Sequence, residues 1–403
     1  MRHAFLLLAA IALAAPVAAT GEQAAPVKTT GKVLAIESSR AQDFLVRVDA
    51  NSLRRVSNRL ALGEHASAWS FSPDGRRLAI GFIQSHVVRI IDVRRMKPIA
   101  RIPTWSGGIR TLAWVSPRRL LGWEDAGLFV LDPVARKRHA PRETPGNVLV
   151  AQRAGNRLVL LAASPIEIGP ARLAVVGPNG AVRSVLLDRI RAGEIEAPGG
   201  ESYRPALVLD PAGRAYVVGA EDEPAAAVDL ERMTVTYHEP ERERSVFARL
   251  RDWLEPAAEA KVPLAGSWRF GAFLGDAKLA VWGYDSVPTG PEQVETRPAG
   301  LSVIDTSDWT RRVIDADAWH AAVADGTLLV TYRDGGLSGF TPAGQRRYHL
   351  FQRETLGVVA TFGERAFVAF DRKPVLVLEA ATGDVLGTRR DVPRLLHPTF
   401  AGW

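Results

Sequence analysis

The sequence predicts an all-β fold made of repeated four-stranded antiparallel sheets. Short apolar runs rich in β-branched residues recur along the chain, and Gly, Pro, Asn or Asp turns separate them. A run that closes on Asp or on a Gly/Pro turn returns at intervals of mostly 36–52 residues. One large domain of repeats therefore fits the 403 residues better than two or three average domains.

The clearest repeat unit is residues 67–103, which contain apolar runs at 68–71, 77–82, 87–91 and 98–102. Ser72-Pro73-Asp74-Gly75 separates the first two runs. Pro presets φ, Asp can accept hydrogen bonds from nearby amides and Gly supplies a positive φ, so a hairpin is expected there. Together the four runs predict one antiparallel sheet.

The turn after the third strand of each unit gives a count of the sheets. It recurs at Asp49, Asp92, Asp132, Gly177, Asp229, Asp305, Thr341 and Glu379. The turn between first and second strands is found only seven times. We therefore expect about eight sheets, with seven as the alternative, and we expect residues 395–403 to supply the missing strand of the first sheet. Such closure would remove exposed sheet edges.

The stretches FSPDGRRLAIG and VVRIID resemble the repeats of WD40-like, TolB-like and YVTN-like β-propellers. The resemblance implies a β-propeller of about eight (alternatively seven) four-stranded antiparallel blades, closed by the C-terminal strand. It covers nearly all of residues 31–403. Its motifs are turn patterns, so they imply an architecture without a specific activity.

The N-terminus has the pattern of a secretory signal peptide over residues 1–19, with a basic start, an apolar core and small residues before the expected cleavage site. An uncleaved membrane anchor is the alternative, although the apolar run is shorter than a bilayer span. Residues 20–30 are small and polar and predict a disordered spacer. We therefore expect an exported protein, periplasmic or extracellular.

Composition excludes several kinds of site. The chain has no cysteine, which excludes disulfides and thiolate metal sites. Its net charge is +7, and the two signs are interspersed without the aromatic-basic pattern of nucleic-acid-binding proteins. No nucleic-acid partner is expected, whereas loose contact with anionic envelope polymers or lipid headgroups stays open.

Three stretches interrupt the repeats. Val246, Phe247, Leu250 and Leu254 recur at helical spacing, which predicts one amphipathic helix over residues 240–260. That helix could pack on the ring or meet a partner. Residues 188–202 and 285–298 are polar or rich in Pro, Thr and Glu and predict loops.

In an up-and-down sheet, the loop between the second and third strands lies at the same end as the connection to the next sheet. Ligand sites of propellers usually lie at that end. The polar and aromatic candidates placed there are His65, His86, Trp105, Trp123, Glu124, Asp125, Glu221, Asp222, Asp285, Asp317, His320, Arg333, Asp334, Asp371 and Arg372. Each of them could equally be an ordinary loop residue. As a set, their carboxylates could hold a calcium ion, and Trp105 and Trp123 could stack on a sugar or peptide.

Recognisable catalytic motifs are missing from the sequence. There is no HExxH and no GxSxG, since Ser338 in GGLSG is displaced by one position. The stretch VLEAATGDVLG resembles the repeat of quinoprotein dehydrogenases, which implies a pocket for pyrroloquinoline quinone and calcium, but its final Trp is replaced by Gly387. No catalytic residues and no cofactor are assigned.

These observations favour a non-catalytic, monomeric β-propeller that binds a protein, peptide or glycan partner. The alternative is a lactonase-type or quinoprotein-type enzyme with a divalent cation at the channel mouth.

Overall fold

The structure is a computed structural model. It describes residues 32–39, 41–49, 54–82, 84–105, 108–124, 127–142, 146–164, 167–195, 200–239, 241–242, 265–290, 293–370, 374–389 and 394–395. The predicted signal peptide (1–19) and spacer (20–30) lie outside these residues.

The first part of the chain forms sheets I, II and III. Its strands are β1 (Lys32–Ser38), β2 (Asp43–Asp49), β3 (Leu60–Ala61), β4 (Ala66–Phe71), β5 (Arg77–Phe82), β6 (Val87–Asp92), β7 (Lys97–Pro103), β8 (Thr111–Ser116), β9 (Arg119–Glu124), β10 (Gly127–Asp132) and β11 (Lys137–Arg142). Sheet I contains β1–β3, sheet II β4–β7 and sheet III β8–β11. Each strand pairs antiparallel with the next in its sheet.

The middle of the chain forms sheet IV and a much wider sheet. Its strands are β12 (Asn147–Ala154), β13 (Arg157–Ala163), β14 (Gly169–Val176), β15 (Val182–Glu194), β16 (Ser202–Arg204), β17 (Ala206–Leu209), β18 (Arg214–Val218), β19 (Ala225–Asp229), β20 (Thr234–His238), β21 (Glu241–Arg242), β22 (Gly266–Gly275), β23 (Lys278–Gly290), β24 (Gln293–Pro298), β25 (Leu301–Asp305) and β26 (Thr310–Asp315). Sheet IV contains β17–β20. The wide sheet joins a first arm, β12–β15, through β16 to a second arm, β22, β23, β25 and β26.

The last part forms sheets V and VI and closes the ring. Its strands are β27 (His320–Ala324), β28 (Thr327–Thr331), β29 (Leu337–Phe340), β30 (Arg346–Leu350), β31 (Leu356–Phe362), β32 (Arg365–Phe370), β33 (Val375–Glu379), β34 (Val385–Arg389) and β35 (Arg394–Leu395). Sheet V contains β27–β30 and sheet VI β31–β34. β35 pairs antiparallel with β1, Leu395 opposite Ala35. The predicted closure by a C-terminal strand is therefore confirmed at Leu395, whereas the rest of the predicted range, 396–403, lies outside the described residues.

The expected number of blades was wrong in detail. Among the described residues, six sheets stand as separate four-stranded blades, and eleven further strands form the wide sheet. The predicted loop at 188–202 instead begins as strand, because Ile190 and Ala192 are fully buried in the core and extend β15. β15 then pairs with β16, which runs parallel to β22 and so joins the two arms.

The other two interruptions also differ from expectation. The region predicted as a loop at 285–298 is largely a hairpin, in which the extended β23 pairs with β24. Most of the predicted helix at 240–260 lies outside the described residues. Within it, Glu241 and Arg242 form β21, which pairs parallel with β26. This pairing satisfies backbone groups at the edge of the second arm, and it makes the helix prediction wrong at these two residues. All the described elements are strands.

The hydrophobic core lies between successive sheets. One cluster joins sheets I and II, another joins sheets II and III around the fully buried Trp114, and a third joins sheets VI and I around Phe367. Further clusters join each arm of the wide sheet to the sheets beside it. In the part of the chain that the structure describes, no helix could cross a membrane.

Candidate binding face

The end of the sheets at which each first strand begins carries the candidate residues, and we call it the loop end. The opposite end, with the turns between first and second and between third and fourth strands, is the turn end. Twelve candidates lie at the loop end, in connections or near strand termini. Asp125, Asp371 and Arg372 lie outside the described residues. The twelve described candidates thus lie at the one end predicted from the sequence. Their role in binding a ligand stays a prediction.

Several candidate carboxylates at the loop end already have partners. Glu124 is fully buried, and its Oε1 accepts a hydrogen bond from the Trp105 amide at 3.1 Å. Asp222 receives both of its bonds, at 2.9 and 3.0 Å, from Nη2 of Arg191. Asp285 accepts a 2.8 Å bond from the buried guanidinium of Arg269. Their oxygens therefore stabilise the connections between strands and sheets.

Two acidic residues that the sequence did not single out have the same role. Asp43 is fully buried, with 3.1 Å between its Oδ1 and Nδ1 of His65 and a 2.8 Å bond from the Ala66 amide to its Oδ2. Glu223 accepts bonds from the Arg191 side chain and from the Ala220 amide. Both lie in or next to a loop between second and third strands, and that position is the sequence feature that could have identified them.

No metal-binding group is formed by the residues with described positions, where three or more His, Asp or Glu side chains never come together in a suitable arrangement. His86 and Asp317 are exposed, and Glu221 is exposed with bonding partners of its own. The candidates are therefore spread around the loop end instead of converging at one point.

The most organised feature of the loop end is a stack of side chains that we call the ladder: Arg204, Trp268, Tyr284, Trp319 and Arg333. Trp268 and Tyr284 stack with ring centroids 5.4 Å apart, and Tyr284 and Trp319 at 5.7 Å with their planes 14° apart. The Arg204 guanidinium lies 4.0 Å from the Trp268 centroid, and that of Arg333 lies 5.6 Å from Trp319. Three aromatic rings are thus flanked by two cations.

Strand register explains how the ladder forms. Trp268 and Phe270 are two residues apart and lie on the same face of β22. On β23 they pair directly with Tyr284 and Trp282. Gly283 lies between these partners because a Cβ there would come within 1.9 Å of the Trp268 carbonyl oxygen. Trp319 precedes β27, so its ring reaches the second arm from sheet V. The aromatic residues at every second position are visible in the segments SWRF and VWGYD. The sequence alone does not show that these two segments pair with each other.

Most of the ladder is uncharged at neutral pH. Burial raises the pKa of Tyr284 to about 12, although the Arg204 charge acts in the opposite direction. His320, whose ring meets Phe270 and Trp319 edge-on, keeps solvent contact, yet desolvation by surrounding protein lowers its pKa. The charged groups of the ladder are therefore its two guanidiniums.

The flanking cations differ in their neighbours. Arg204 donates a 3.0 Å hydrogen bond to Oε2 of Glu194. Arg333 is exposed, and its Nη1 donates to the Thr296 carbonyl at 3.2 Å without an ion pair to any described carboxylate. Arg333 is therefore the cation available to an anionic group.

The two candidate tryptophans, which are not part of the ladder, are each covered on one ring face by an arginine. Trp105 is 45% exposed, but the Arg138 guanidinium lies 3.9 Å from its ring centroid. Trp123 is partly buried, with Arg110 at 5.4 Å. Only one face of each ring is left for stacking on a ligand.

Two further features are no part of the predicted face. Ser338 lies in β29, where its Oγ is 2.7 Å from Nδ1 of His349 and 2.8 Å from the Tyr332 hydroxyl, but it is fully buried and inaccessible to substrate. A cleft of about 510 Å³ opens at the turn end between sheet IV and the second arm, lined in part by Asp210 and Asp229. The candidate residues predicted from the sequence lie at the opposite end.

Comparison with solved structures supports the fold. The structure resembles the dihydro-heme d1 dehydrogenase NirN in complex with DHE, with a TM-score of 0.57, 14% identity and coverage of 93% of this chain and 75% of that chain. It also resembles apo AztD from Citrobacter koseri, with a TM-score of 0.51, 12% identity and coverage of 90% and 96%. No family model and no curated protein matches the sequence. At these identities the likeness concerns fold alone, and the chain is a β-propeller.

Proposed function

We propose that the protein is an exported, monomeric β-propeller without a cofactor, and that it binds a protein or peptide partner at its loop end. The ladder is the observation that supports this proposal. The N-terminal pattern of residues 1–19 supports export. The structural likenesses contribute the fold only.

The chemistry of the ladder favours a peptide chain with acidic side chains. Arg333 offers an exposed guanidinium that forms no ion pair within 4 Å with a described carboxylate, and guanidiniums bind carboxylates with strong, directional hydrogen bonds. The half-buried rings beside it provide apolar contact area at little cost in side-chain entropy. Because the ring faces are occupied by one another and by Arg204, a sugar finds no open ring face within the stack. A peptide is therefore favoured over a glycan.

The test is site-specific cross-linking in the native envelope. A photo-reactive amino acid replaces Asp334, an exposed residue next to Arg333, and in a second protein it replaces Ala343, an exposed residue at the turn end of sheet V. We expect a cross-linked partner from position 334 that is absent from position 343. Adding Arg333→Glu should reduce its yield at least about tenfold, because a like charge replaces the carboxylate-binding group.

Arg346→Glu is the matched control, since Arg346 is an exposed arginine at the turn end of sheet V. It makes the same change in net charge and should leave the cross-link unchanged. Equal cross-linking from positions 334 and 343, or equal loss with both charge variants, would count against the proposed binding surface.

A further inference from the structure

Positive charge is concentrated in one part of the chain. Residues 67–142, which include sheets II and III, contain 14 Lys and Arg but only five Asp and Glu, whereas the whole chain has a net charge of +7. The rest of the chain is thus slightly negative. This asymmetry gives sheets II and III an electrostatic character of their own.

The fold brings much of this charge to the turn end. Arg76 follows β4, Arg94 and Arg95 follow β6, Lys97 begins β7, Arg118 follows β8 and Lys137 begins β11. All six side chains are exposed. These turns lie at the same end because successive strands run in opposite directions. Arg136 Nη2 donates a hydrogen bond to the Ile99 carbonyl, and this bond holds the last turn of sheet III against sheet II. We call these six residues the basic turn surface.

The carboxylates nearest to these cations are occupied by backbone hydrogen bonds. Asp92 accepts from the Arg95 amide at 2.7 Å, and Asp132 accepts from the amides of Val134 and Ala135 at 2.9 Å. Asp74 accepts from the Arg76 amide and from Ser72 Oγ. Within the described residues, none of the six cationic side chains forms an ion pair within 4 Å. Their charge therefore faces solvent.

Exposed aliphatic side chains lie between the cations. Val134, in the last turn of sheet III, is 47% exposed, and Ile99 of β7 is 37% exposed. The tips carry no aromatic side chain on which nucleobases could stack, in the segments that the structure describes. Spread positive charge with small apolar groups among it fits a planar anionic surface, because cations meet headgroups while aliphatic tips enter the interface.

We propose that the basic turn surface docks the protein onto a bilayer containing anionic lipids. This surface is at the opposite end from the ladder, so a docked protein keeps its loop end facing away from the lipid. The inference is independent of the proposed partner binding, and either can fail alone.

The experiment is vesicle co-sedimentation with the full chain. Vesicles of phosphatidylcholine are compared with vesicles containing about a third phosphatidylglycerol, at low salt and at about 0.5 M salt. We expect binding only to anionic vesicles and its loss at high salt, because exposed charges are screened over a few ångströms there. Binding through residues 1–19 would be unaffected by charge reversal at the basic turn surface, which distinguishes the two routes.

Variants locate the surface. The triple variant Arg94→Glu, Arg118→Glu, Lys137→Glu should bind anionic vesicles about a hundredfold more weakly, since each cation near an anionic membrane contributes strongly to binding. The control triple variant Arg232→Glu, Arg346→Glu, Arg353→Glu changes net charge equally at exposed positions in sheets IV and V and in the connection after β30, and it should bind as the unchanged chain does. Thermal unfolding verifies that both variants are folded.

Three results would overturn the inference. They are equal binding to neutral and anionic vesicles, equal weakening by both triple variants, and binding to the soluble polyanion heparin without binding to vesicles. The comparison of lipids and salt needs no variant, so it decides the question even if a variant fails to fold.

Discussion

Buried carboxylates at the loop end hold neighbouring sheets together. Asp43 of sheet I accepts a hydrogen bond from the amide of Ala66 in sheet II, Glu124 of sheet III accepts one from the amide of Trp105 between sheets II and III, and both carboxylates are fully buried. A buried carboxylate is costly unless its oxygens are bonded, so these groups have little freedom to bind a ligand as well. Acidic residues in such loops can therefore serve to stabilise the fold and need not mark a ligand-binding site.

Turn aspartates at the other end give a pH dependence that can be tested. Hydrogen bonds from the Ser307 hydroxyl and amide lower the pKa of Asp305, with desolvation opposing them. A carboxyl group whose pKa is lower in the folded than in the unfolded state stabilises the folded protein at every pH above the unfolded pKa. This contribution is lost as the pH falls through the folded pKa. Asp305→Asn should therefore cost about 1 kcal/mol or less at pH 7 and less than that at pH 2.5.

Urea unfolding at the two pH values measures this difference. Asp317→Asn is the control, because the Asp317 carboxylate accepts no hydrogen bond from the described residues, and it should change stability at neither pH. A cost of Asp305→Asn that is the same at both values would show that the carboxylate charge has no part in it.

The ladder makes a second prediction at the residue scale. Trp319→Ala removes the ring that joins Tyr284 of the second arm to sheet V, and it should lower the free energy of unfolding by about 2 kcal/mol. Trp105→Ala, at a ring that is 45% exposed, should cost less than about 1 kcal/mol. Chemical denaturation of both variants measures the contrast, and equal costs would mean that the ladder does not stabilise the junction of the two sheets.

The sequence predicted strands better than it predicted the joins between sheets. Turn residues such as those at 72–75 act locally, and the hairpin between β4 and β5 was predicted from them. The continuation of β15 depends on burial of Ile190 and Ala192 against sheet IV, and β21 depends on the edge of β26. Such contacts between segments distant in sequence leave no local pattern, which is why one loop and part of a helix were predicted there.

The same reasoning applies to the site. Residue types and up-and-down topology placed the candidates at one end, but stacking of Trp268, Tyr284 and Trp319 depends on register between strands and on the approach of sheet V. The charge asymmetry of residues 67–142 was available in the sequence. A count of charges over the whole chain conceals it.

Closure of the ring by β35 is the main test at the element scale. Removing residues 394–403 would leave the inner edge of β1 unpaired and exposed, so we expect a fall of several degrees in the midpoint of thermal unfolding and a tendency to aggregate. Removing only residues 397–403 leaves β35 in place and should change the midpoint much less. If both truncations unfold at the same temperature as the full chain, β35 contributes nothing to stability.

At the scale of the whole molecule, the two ends of the propeller have different surfaces. The loop end carries the ladder with two flanking guanidiniums, while the turn end of sheets II and III carries six exposed cations. The core clusters between successive sheets fix these ends relative to each other. If both proposals are correct, the ring would bind an anionic membrane at its turn end and a partner at its loop end.

The final prediction concerns divalent cations, which separate the binding proposal from the alternative of a cation-dependent enzyme. Asp222 and Asp285 are bonded to arginines and Glu124 to a backbone amide, so we expect neither chelator nor millimolar calcium to change the midpoint of thermal unfolding. A site saturated at a hundred times its Kd would add about 2.7 kcal/mol, which calorimetry detects easily. Magnesium at the same ionic strength is the control for screening. A rise specific to calcium would favour the enzyme, and mutation of Asp125 or Asp371 to Asn would then show whether these two residues bind the ion.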